Sequence, residues 1–490
     1  MFYDNISMLT DLYQLTMMQG YFESDIKNKH CVFELFYRLN PSGNGYAIAA
    51  GLESAVRYVK NLKFTDDDIA YLKSLDTFSE EFLSYLKEFK FTGDILAVKE
   101  GSVVFPHEPL MQVKAPIIEG QLLETTLLNI VNHQSLIATK AARVCWAAEG
   151  ETILEFGLRR AQGADAGLFG ARAAVIAGCH ATSNVLAGKM FNVPIRGTHA
   201  HSWVMSFDSE LEAFRTYAKT FPDNCILLVD TYHTLESGVP NAIKVFSELK
   251  ESGRLSDSYG IRLDSGDLSY LSKQARIMLD EAGFKDAVIS ASSDLDEYLI
   301  SDLKKQGSKI SVWGVGTNLI TSKDHPAFGG VYKLVAESFE NSGNSGIKEF
   351  KPKIKLSENP DKVTNPGVKK VYRLYDVKHG KIKADLICLE HEKIDATKDL
   401  TIFDPKATWK RMTLKANQFY AKETLIPIFI NGECVYESPS VMEIREYSLE
   451  EQNTLWEEYK RFSNPHIMPV DLSQELFDLK EDLIKQYRLK

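Results

Sequence analysis

The sequence predicts an α/β protein whose middle is a parallel (β/α) barrel, complete or partial, with an α+β unit ahead of it. Three observations carry this. From Thr152 to Trp313, short apolar segments alternate with amphipathic helical ones. Each apolar segment breaks into a polar cluster at its C-terminal end. Before this region lie short strand-like runs punctuated by Gly and Pro, and after Gly330 the rhythm is lost. Right-handed βαβ connections turn such a series into a parallel sheet. Six consecutive units favour a barrel, and a doubly wound open sheet is the alternative.

Composition sets the outer bounds. A chain of 490 residues needs about two or three domains. Its 44% hydrophobic and 25% charged residues are those of a globular protein with a large core. The net charge of −10 argues against nucleic-acid or anionic-membrane partners. No apolar run reaches the roughly 18 residues a bilayer demands, and Met-Phe-Tyr-Asp-Asn-Ile is not a signal-peptide start. Cys31, Cys145, Cys179, Cys225, Cys388 and Cys434 are scattered singly, with neither a disulfide framework nor zinc-ligand spacing. A cytoplasmic protein with reduced thiols is expected.

In order, Leu9–Gly20 reads as a helix carrying Asp11, Tyr13 and Gln14 as polar handles. Cys31–Phe36 is a strand by its β-branched and aromatic content, and Arg38 leads into the turn Asn-Pro-Ser-Gly-Asn-Gly. A helix is expected over Tyr46–Leu62 and helical structure over 66–90. Strands are expected at Ile95–Val98, Val103–Phe105 and Leu110–Val113, then a long helix over Leu122–Ala148. The repeating part pairs strand Thr152–Phe156 with helix Leu168–Ala187, Val193–Ile195 with Glu210–Thr220, and Asn224–Val229 with Leu235–Glu251. Ser258–Ile261 pairs with Leu268–Ala282, and Ala287–Ser290 with Leu295–Gln306, before Lys309–Trp313 closes the series. Phe350–Tyr375 is rich in lysine, ordinarily a solvated face, but the turn Asn365-Pro366-Gly367 would present Lys362 and Lys369 to an anion. Strands over Val371–Leu389 and 424–436 rejoin the first domain, and 447–490 is an amphipathic helical tail. The expected domains are 1–135, 136–350 for the barrel, and 351–490.

The polar clusters fall where a barrel gathers its chemistry, at the C-terminal ends of the strands. They are Glu155-Phe-Gly-Leu-Arg159-Arg160, Arg196-Gly-Thr198-His-Ala-His201, Asp230-Thr-Tyr-His233, Arg262-Leu-Asp264-Ser265-Gly-Asp267, Ala291-Ser292-Ser293-Asp294 and Gly314-Val-Gly316-Thr317-Asn318. A single such end is explained by helix capping, with Thr198, Ser202, Ser293 or Asp294 as the cap. Six together exceed what capping requires. Arginines suit bidentate capture of carboxylate or phosphate. Gly316 with Thr317, and Ser292 with Ser293, offer backbone N–H groups to a phosphate. Asp230 and Asp264 suit ribose hydroxyls or a Mg²⁺ bridged to pyrophosphate. No zinc set, Ser-His-Asp order or Walker A loop is present. These residues alone reach a phosphate-handling barrel enzyme and stop there.

Leu9-Thr-Asp-Leu-Tyr-Gln-Leu-Thr-Met, Glu155-Phe-Gly-Leu-Arg-Arg-Ala-Gln-Gly163, Ser183-Asn-Val-Leu-Ala-Gly188, Gly197-Thr-His-Ala-His-Ser202, Arg262-Leu-Asp-Ser-Gly-Asp267 and Gly314-Val-Gly-Thr-Asn318 occur in this order. Together they resemble the nicotinate phosphoribosyltransferase family over nearly the whole chain. The resemblance implies an N-terminal α/β domain, completed by C-terminal strands, plus an irregular (β/α) barrel. It implies ATP-coupled formation of nicotinate mononucleotide and pyrophosphate from nicotinate and 5-phosphoribosyl 1-diphosphate (PRPP), with Mg²⁺, in NAD synthesis. It also implies a homodimer with shared active sites. By the same resemblance, His201 is transiently phosphorylated and acts in catalysis with Arg262 and Asp264. Tyr13, from the partner subunit, and Phe156 would flank the nicotinate ring, with Arg159 and Thr198 near its carboxylate, the ribose or the phosphates. Asp230 would serve the PRPP ribose and diphosphate, and Ser292, Ser293, Gly316 and Thr317 the 5′-phosphate. Arg38, Lys362 and Lys369 would reach phosphates from the partner chain. His199 is given no catalytic role, and no protein metal cage is implied. A nicotinamide enzyme is the nearest rival, and a carboxamide-binding aspartate near Ser183 would mark it. A non-catalytic phosphate or nucleotide sensor is the rival from another class.

Overall fold

A computed structural model describes residues 5–338 and 349–488 of the chain. It divides into two compact units, Met1–Leu136 with Ala327–Pro439 and Glu446–Lys490, and Ile137–Pro326 with Ser440–Arg445. The chain passes from one to the other inside the helix Ile117–Ala147. The expected barrel limit of 350 is displaced to 326, because Gly330–Ser338 pairs antiparallel with His30–Tyr37 in the first unit.

The first unit is built on a seven-stranded antiparallel sheet. Its order is Phe350–Pro352, Gly330–Ser338, His30–Tyr37, Met111–Pro116, Asp94–Val98, Leu425–Ile430, Glu433–Cys434. His30–Tyr37 is buried at every position after the first. That explains why its sequence is nearly continuously apolar rather than alternating. Phe33 stacks on Tyr332 with ring centroids 5.0 Å apart. A four-stranded sheet, Phe419–Glu423, Lys369–Asp376, Ile382–Leu389, Val470–Leu472, adds a buried ion cluster. There Arg373 binds Asp385 (Nη2 to Oδ2, 2.7 Å) and Glu451 (3.2 Å). The expected helix over Tyr46–Leu62 is a short strand, Ala47–Ile48, then a helix, Leu52–Lys60. Gly51 separates them at φ 102°, a left-handed conformation that suits glycine. Residues 66–90 form two helices, Asp66–Ser74 and Glu80–Lys87, capped by the side chains of Thr65 and Ser79.

The second unit holds a six-stranded, wholly parallel sheet. The order is Ala181–Thr182, Thr152–Glu155, Val312–Val315, Val288–Ser292, Tyr259–Leu263, Cys225–Leu228. No ladder joins the two outer strands among the described residues, so the sheet curls into half a barrel. The helices Ala164–Ile176, Glu210–Thr220, Val239–Glu251, Leu268–Glu281 and Glu297–Lys305 connect it. One expected strand differs. Val193–Ile195 contributes only a single parallel bridge, Ile195 to Thr182, and the ladder strand is Ala181–Thr182. The expected helix over Leu168–Ala187 stops at Ile176, and Gly178 at φ 132° turns the chain into that strand. Asn184 then caps Val185–Phe191 through a 3.1 Å bond from the Ala187 N–H. Glu297, fully buried, is held by Lys140 (2.7 Å) and Arg143 (2.7 Å), a paired charge of the kind an interior tolerates. No helix among the described residues is long and apolar enough to cross a membrane.

Candidate active site

The strand ends of the parallel sheet deliver the polar clusters to one another. Arg262, one residue from the end of Tyr259–Leu263, donates from Nη1 to Thr198 Oγ1 and to the His199 carbonyl (3.3 Å). Its Nη2 lies 3.7 Å from Asp264 Oδ1. Burial lowers the Arg262 pKa, and the charges of Asp264 and Asp230 oppose that shift. Asp264 accepts a bond from Ser292 Oγ and stands 3.7 Å from His201 Nε2. Asp230 Oδ2 accepts from the Asp264 N–H (2.8 Å) and from Ser265 Oγ (2.6 Å). Three strand ends and the segment that follows Ile195 are thus tied through two carboxylates and one guanidinium. Two buried atoms of this network have no protein partner, Arg262 Nε and Asp230 Oδ1. A donor and an acceptor left over in an otherwise satisfied cluster suit a ligand that needs both.

The histidines part company. His201 opens the short helix His201–Met205, and its Nδ1 lies 3.1 Å from Thr231 Oγ1. Ala200 is the cap residue of that helix, so the alternative explanation of this segment, capping by Thr198 or Ser202, does not hold. His199 is buried against Tyr217, with ring centroids 4.7 Å apart, and its Nε2 accepts the Leu228 N–H at 3.2 Å. Burial lowers its pKa to about 4, which keeps the ring neutral as that bond requires.

A second group surrounds Phe156. The ring lies against Gly314, where a Cβ would come within 2.6 Å of it, so only glycine fits. Fully buried Glu155 accepts from the Gly157 N–H and from Thr182 Oγ1 (2.6 Å), holding the Phe156 turn to the edge strand. Burial raises the Glu155 pKa, and those two bonds offset part of the shift. Ser183 donates its N–H to the Glu155 carbonyl (2.9 Å), and Arg159 is exposed on the turn Leu158–Arg160. Ser292 and Ser293 do not sit at a helix start as expected. The next helix begins at Glu297 with Asp296 as its cap. Asn318 donates to the carbonyls of Asp294 (2.7 Å) and Leu295 (3.1 Å), joining that turn to Gly316 and Thr317.

The remaining candidates belong to the first unit. Tyr13 is 47% exposed on the helix Leu12–Phe22, beside a recess of about 420 Å³ that Gln121, Glu124 and Lys333 also line. Arg38 is half-buried, its guanidinium 5.9 Å from the centroid of the Phe36 ring. Lys362 is exposed in the turn Pro360–Lys362. Lys369 corrects the expectation. Its buried ammonium donates to the carbonyls of Asn365 and Gly367 (2.8 Å each) and pairs with Glu34 (3.0 Å). All three protons are used inside the fold, so Lys369 is a structural cation with none left for a diphosphate.

Glu155, Ser265 and Asn318 lie within sequence motifs and Thr231 at a strand end, but no pattern in the sequence assigns them a role. Thr182 carries no signal of its own, because its alanine-rich surroundings have a helical pattern.

Residues 8–132 match the nicotinate phosphoribosyltransferase N-terminal domain, 152–379 the nicotinate phosphoribosyltransferase family, and 368–480 its C-terminal domain. The chain belongs to the nicotinate phosphoribosyltransferase family. It is 50% identical to the nicotinate phosphoribosyltransferase of Bacillus subtilis, across 99% of this chain and 96% of that protein. To the Dictyostelium discoideum nicotinate phosphoribosyltransferase it is 38% identical, across 97% and 88%. The solved structure of human nicotinic acid phosphoribosyltransferase superposes with a TM-score of 0.84 at 31% identity, covering 97% of this chain and 99% of that one. A Pyrococcus furiosus nicotinate-nucleotide pyrophosphorylase, with a TM-score of 0.67 at 22% identity over 91% and 95% of the two chains, shares the fold.

Proposed function

We propose that this enzyme joins nicotinate to the phosphoribosyl group of PRPP, releasing pyrophosphate, with ATP hydrolysed alongside, as a step of NAD synthesis from nicotinate. The observation that carries the reading is the Arg262–Asp264–Asp230 network with its two unpartnered atoms. A ribosyl diphosphate offers hydroxyl donors for Asp230 Oδ1 and anionic oxygens for Arg262 Nε. Formation of the C1–N bond passes through an oxocarbenium-like state, so positioning and charge stabilisation supply most of the catalysis. Phe156, held by the Glu155 clamp, offers a flat wall to the pyridine ring, with Arg159 and Thr198 for its carboxylate or the sugar and phosphates. Ser292, Ser293, Gly316 and Thr317 line the 5′-phosphate. Arg38 and Lys362 remain candidates for phosphate contacts from a partner chain. Uncharged Ser183 suits the acid, because an aspartate there would repel nicotinate and favour the carboxamide.

Asp230 and Asp264 fit a Mg²⁺ that arrives with the diphosphate, since Asp230 Oδ1 is unpartnered and two carboxylates do not enclose an ion by themselves. The ion would neutralise charge on the departing pyrophosphate. His201, half-exposed beside Asp264, is positioned to take a phosphoryl group from ATP. By analogy with hydroxyl phosphorylation, that group adds about 1.5 to 2 negative charges beside Asp264, the carboxylate that also faces Arg262. Exposed apolar side chains, Leu158, Val185, Leu186 and Met205 in the second unit and Leu9, Leu12 and Met17 in the first, suit burial in a homodimer. The proposed compartment is the cytoplasm.

The test supplies purified enzyme with PRPP and Mg²⁺, and with nicotinate or nicotinamide, each with and without ATP. Nicotinate-dependent mononucleotide formation, accelerated by ATP with matching ADP release, is expected. His201→Ala should keep basal turnover and lose the ATP stimulation. Turnover of nicotinamide alone would overturn the substrate assignment, and PRPP binding without any turnover would favour a sensor.

A further inference from the structure

The turn that follows Val288–Ser292 is held in a conformation its own residues disfavour. Ser293 has φ 111° and Asp294 φ 33°, both in the region that side-chain-bearing residues rarely adopt. The helix that follows does not impose this. It begins at Glu297, and its cap Asp296 is occupied by the Leu299 N–H at 2.7 Å. What does hold the turn is Asn318. Its buried side-chain amide gives one bond to the Asp294 carbonyl at 2.7 Å and another to the Leu295 carbonyl at 3.1 Å. Asn318 follows Thr317 directly, so one amide couples the two strand ends, Ser292–Asp294 and Gly316–Thr317.

We propose that Asn318 is a positioning residue for PRPP, holding the disfavoured Ser293–Asp294 backbone in the orientation that receives the 5′-phosphate. This rests on the phosphate reading of Ser292, Ser293, Gly316 and Thr317. The Ser292 hydroxyl already donates to Asp264, so its side chain is committed. Besides the exposed Ser293 hydroxyl, what Ser293 and Asp294 offer an anion is backbone N–H, and the direction of an N–H is set by the flanking dihedrals. A chain released from Asn318 would relax toward ordinary dihedrals and turn those donors away. Asn318 touches no substrate in this scheme. It acts through the turn.

The experiment compares Asn318→Ala and the isosteric Asn318→Asp, which lacks both donors, with Thr317→Ala, by steady-state kinetics and thermal unfolding. The KM for PRPP should rise about tenfold in both Asn318 variants, the worth of roughly one lost hydrogen bond, while the KM for nicotinate stays within about twofold. Ser293→Gly placed on Asn318→Ala should recover part of the PRPP affinity, because glycine adopts φ 111° freely. If Thr317→Ala raises the PRPP KM and neither Asn318 variant does, the positioning role falls and the phosphate reading stands. If none of the three moves it, the positioning role falls, and the Thr317 side chain, though not the backbone N–H groups, drops out of the phosphate reading. Losses in kcat and both KM values, in step with a lowered Tm and without rescue by Ser293→Gly, would make Asn318 a purely structural residue and overturn the proposal.

Discussion

Lys369 shows how a residue's surroundings, rather than its type, decide its use. In the sequence it stands in a lysine-rich run beside a turn, the setting of a phosphate contact. In the fold, Glu34 on the inner strand His30–Tyr37 is buried, and Lys369 neutralises it. Burial lowers the Lys369 pKa and raises that of Glu34, and their mutual attraction opposes both shifts. Gln112 completes the arrangement by donating to Glu34 Oε1 at 3.0 Å. Removing one partner of such a pair strands a charge. Lys369→Met should therefore destabilise the protein by about 3 to 5 kcal/mol, read by denaturant unfolding, with an unchanged PRPP KM in the folded fraction. Normal stability with weakened PRPP binding would return Lys369 to the list of ligand contacts.

At the scale of elements, the edge strand Cys225–Leu228 is fastened to the site by His199, whose Nε2 must stay unprotonated to accept the Leu228 N–H. Its pKa is lowered to about 4 by burial first, with the nearby charges of Arg262 and His201 acting in the same direction and the Ala200 carbonyl against them. An unfolded histidine binds its proton near 6.5. The unfolded chain therefore takes up the proton at higher pH than the folded one. The stabilisation is fully present above about pH 6.5 and is lost as the pH falls toward 4. By pH 5 this amounts to roughly 2 kcal/mol at most. His107 is also lowered to about 4 and titrates in the same window, so the measurement is a difference. His199→Gln, which keeps an acceptor and does not titrate, should show a shallower decline of stability between pH 7 and 5 than the parent. Identical slopes would show that His199 binds its proton as easily folded as unfolded. The same elements mark what a sequence can disclose. Long periodic segments such as Glu210–Thr220, and the clustering of Arg262, Asp264 and Ser292, follow from local pattern and from the common direction of parallel strands. The strand Ala181–Thr182 does not, because two residues carry no periodicity and their neighbours are alanine-rich. Neither does the clamp from Glu155 to Thr182, which needs that strand's partner to be known. Asn318 was visible as a letter in a motif, but its two acceptors lie more than twenty positions upstream.

For the whole molecule, the deciding question is which residues of one chain serve which site. The Arg262–Asp264–Asp230 network and Phe156 belong to the second unit, while Tyr13, Arg38 and Lys362 belong to the first. The proposed homodimer with shared sites would let each first unit serve the partner's sheet, and it makes an arithmetic prediction. Tyr13→Ala and Asp264→Ala chains should each be nearly inactive alone. Co-expressed in equal amounts, half of the dimers are mixed, and each mixed dimer holds one site with both residues intact and one with neither. About a quarter of the wild-type sites should then return, read as kcat/KM for nicotinate per chain at saturating PRPP. Activity no greater than the mean of the two parents would mean that Tyr13 serves a site on its own chain, or that it serves none. The two cases separate on the Tyr13→Ala enzyme alone: a raised nicotinate KM places Tyr13 at the ring within one subunit, and an unchanged KM removes it from the site.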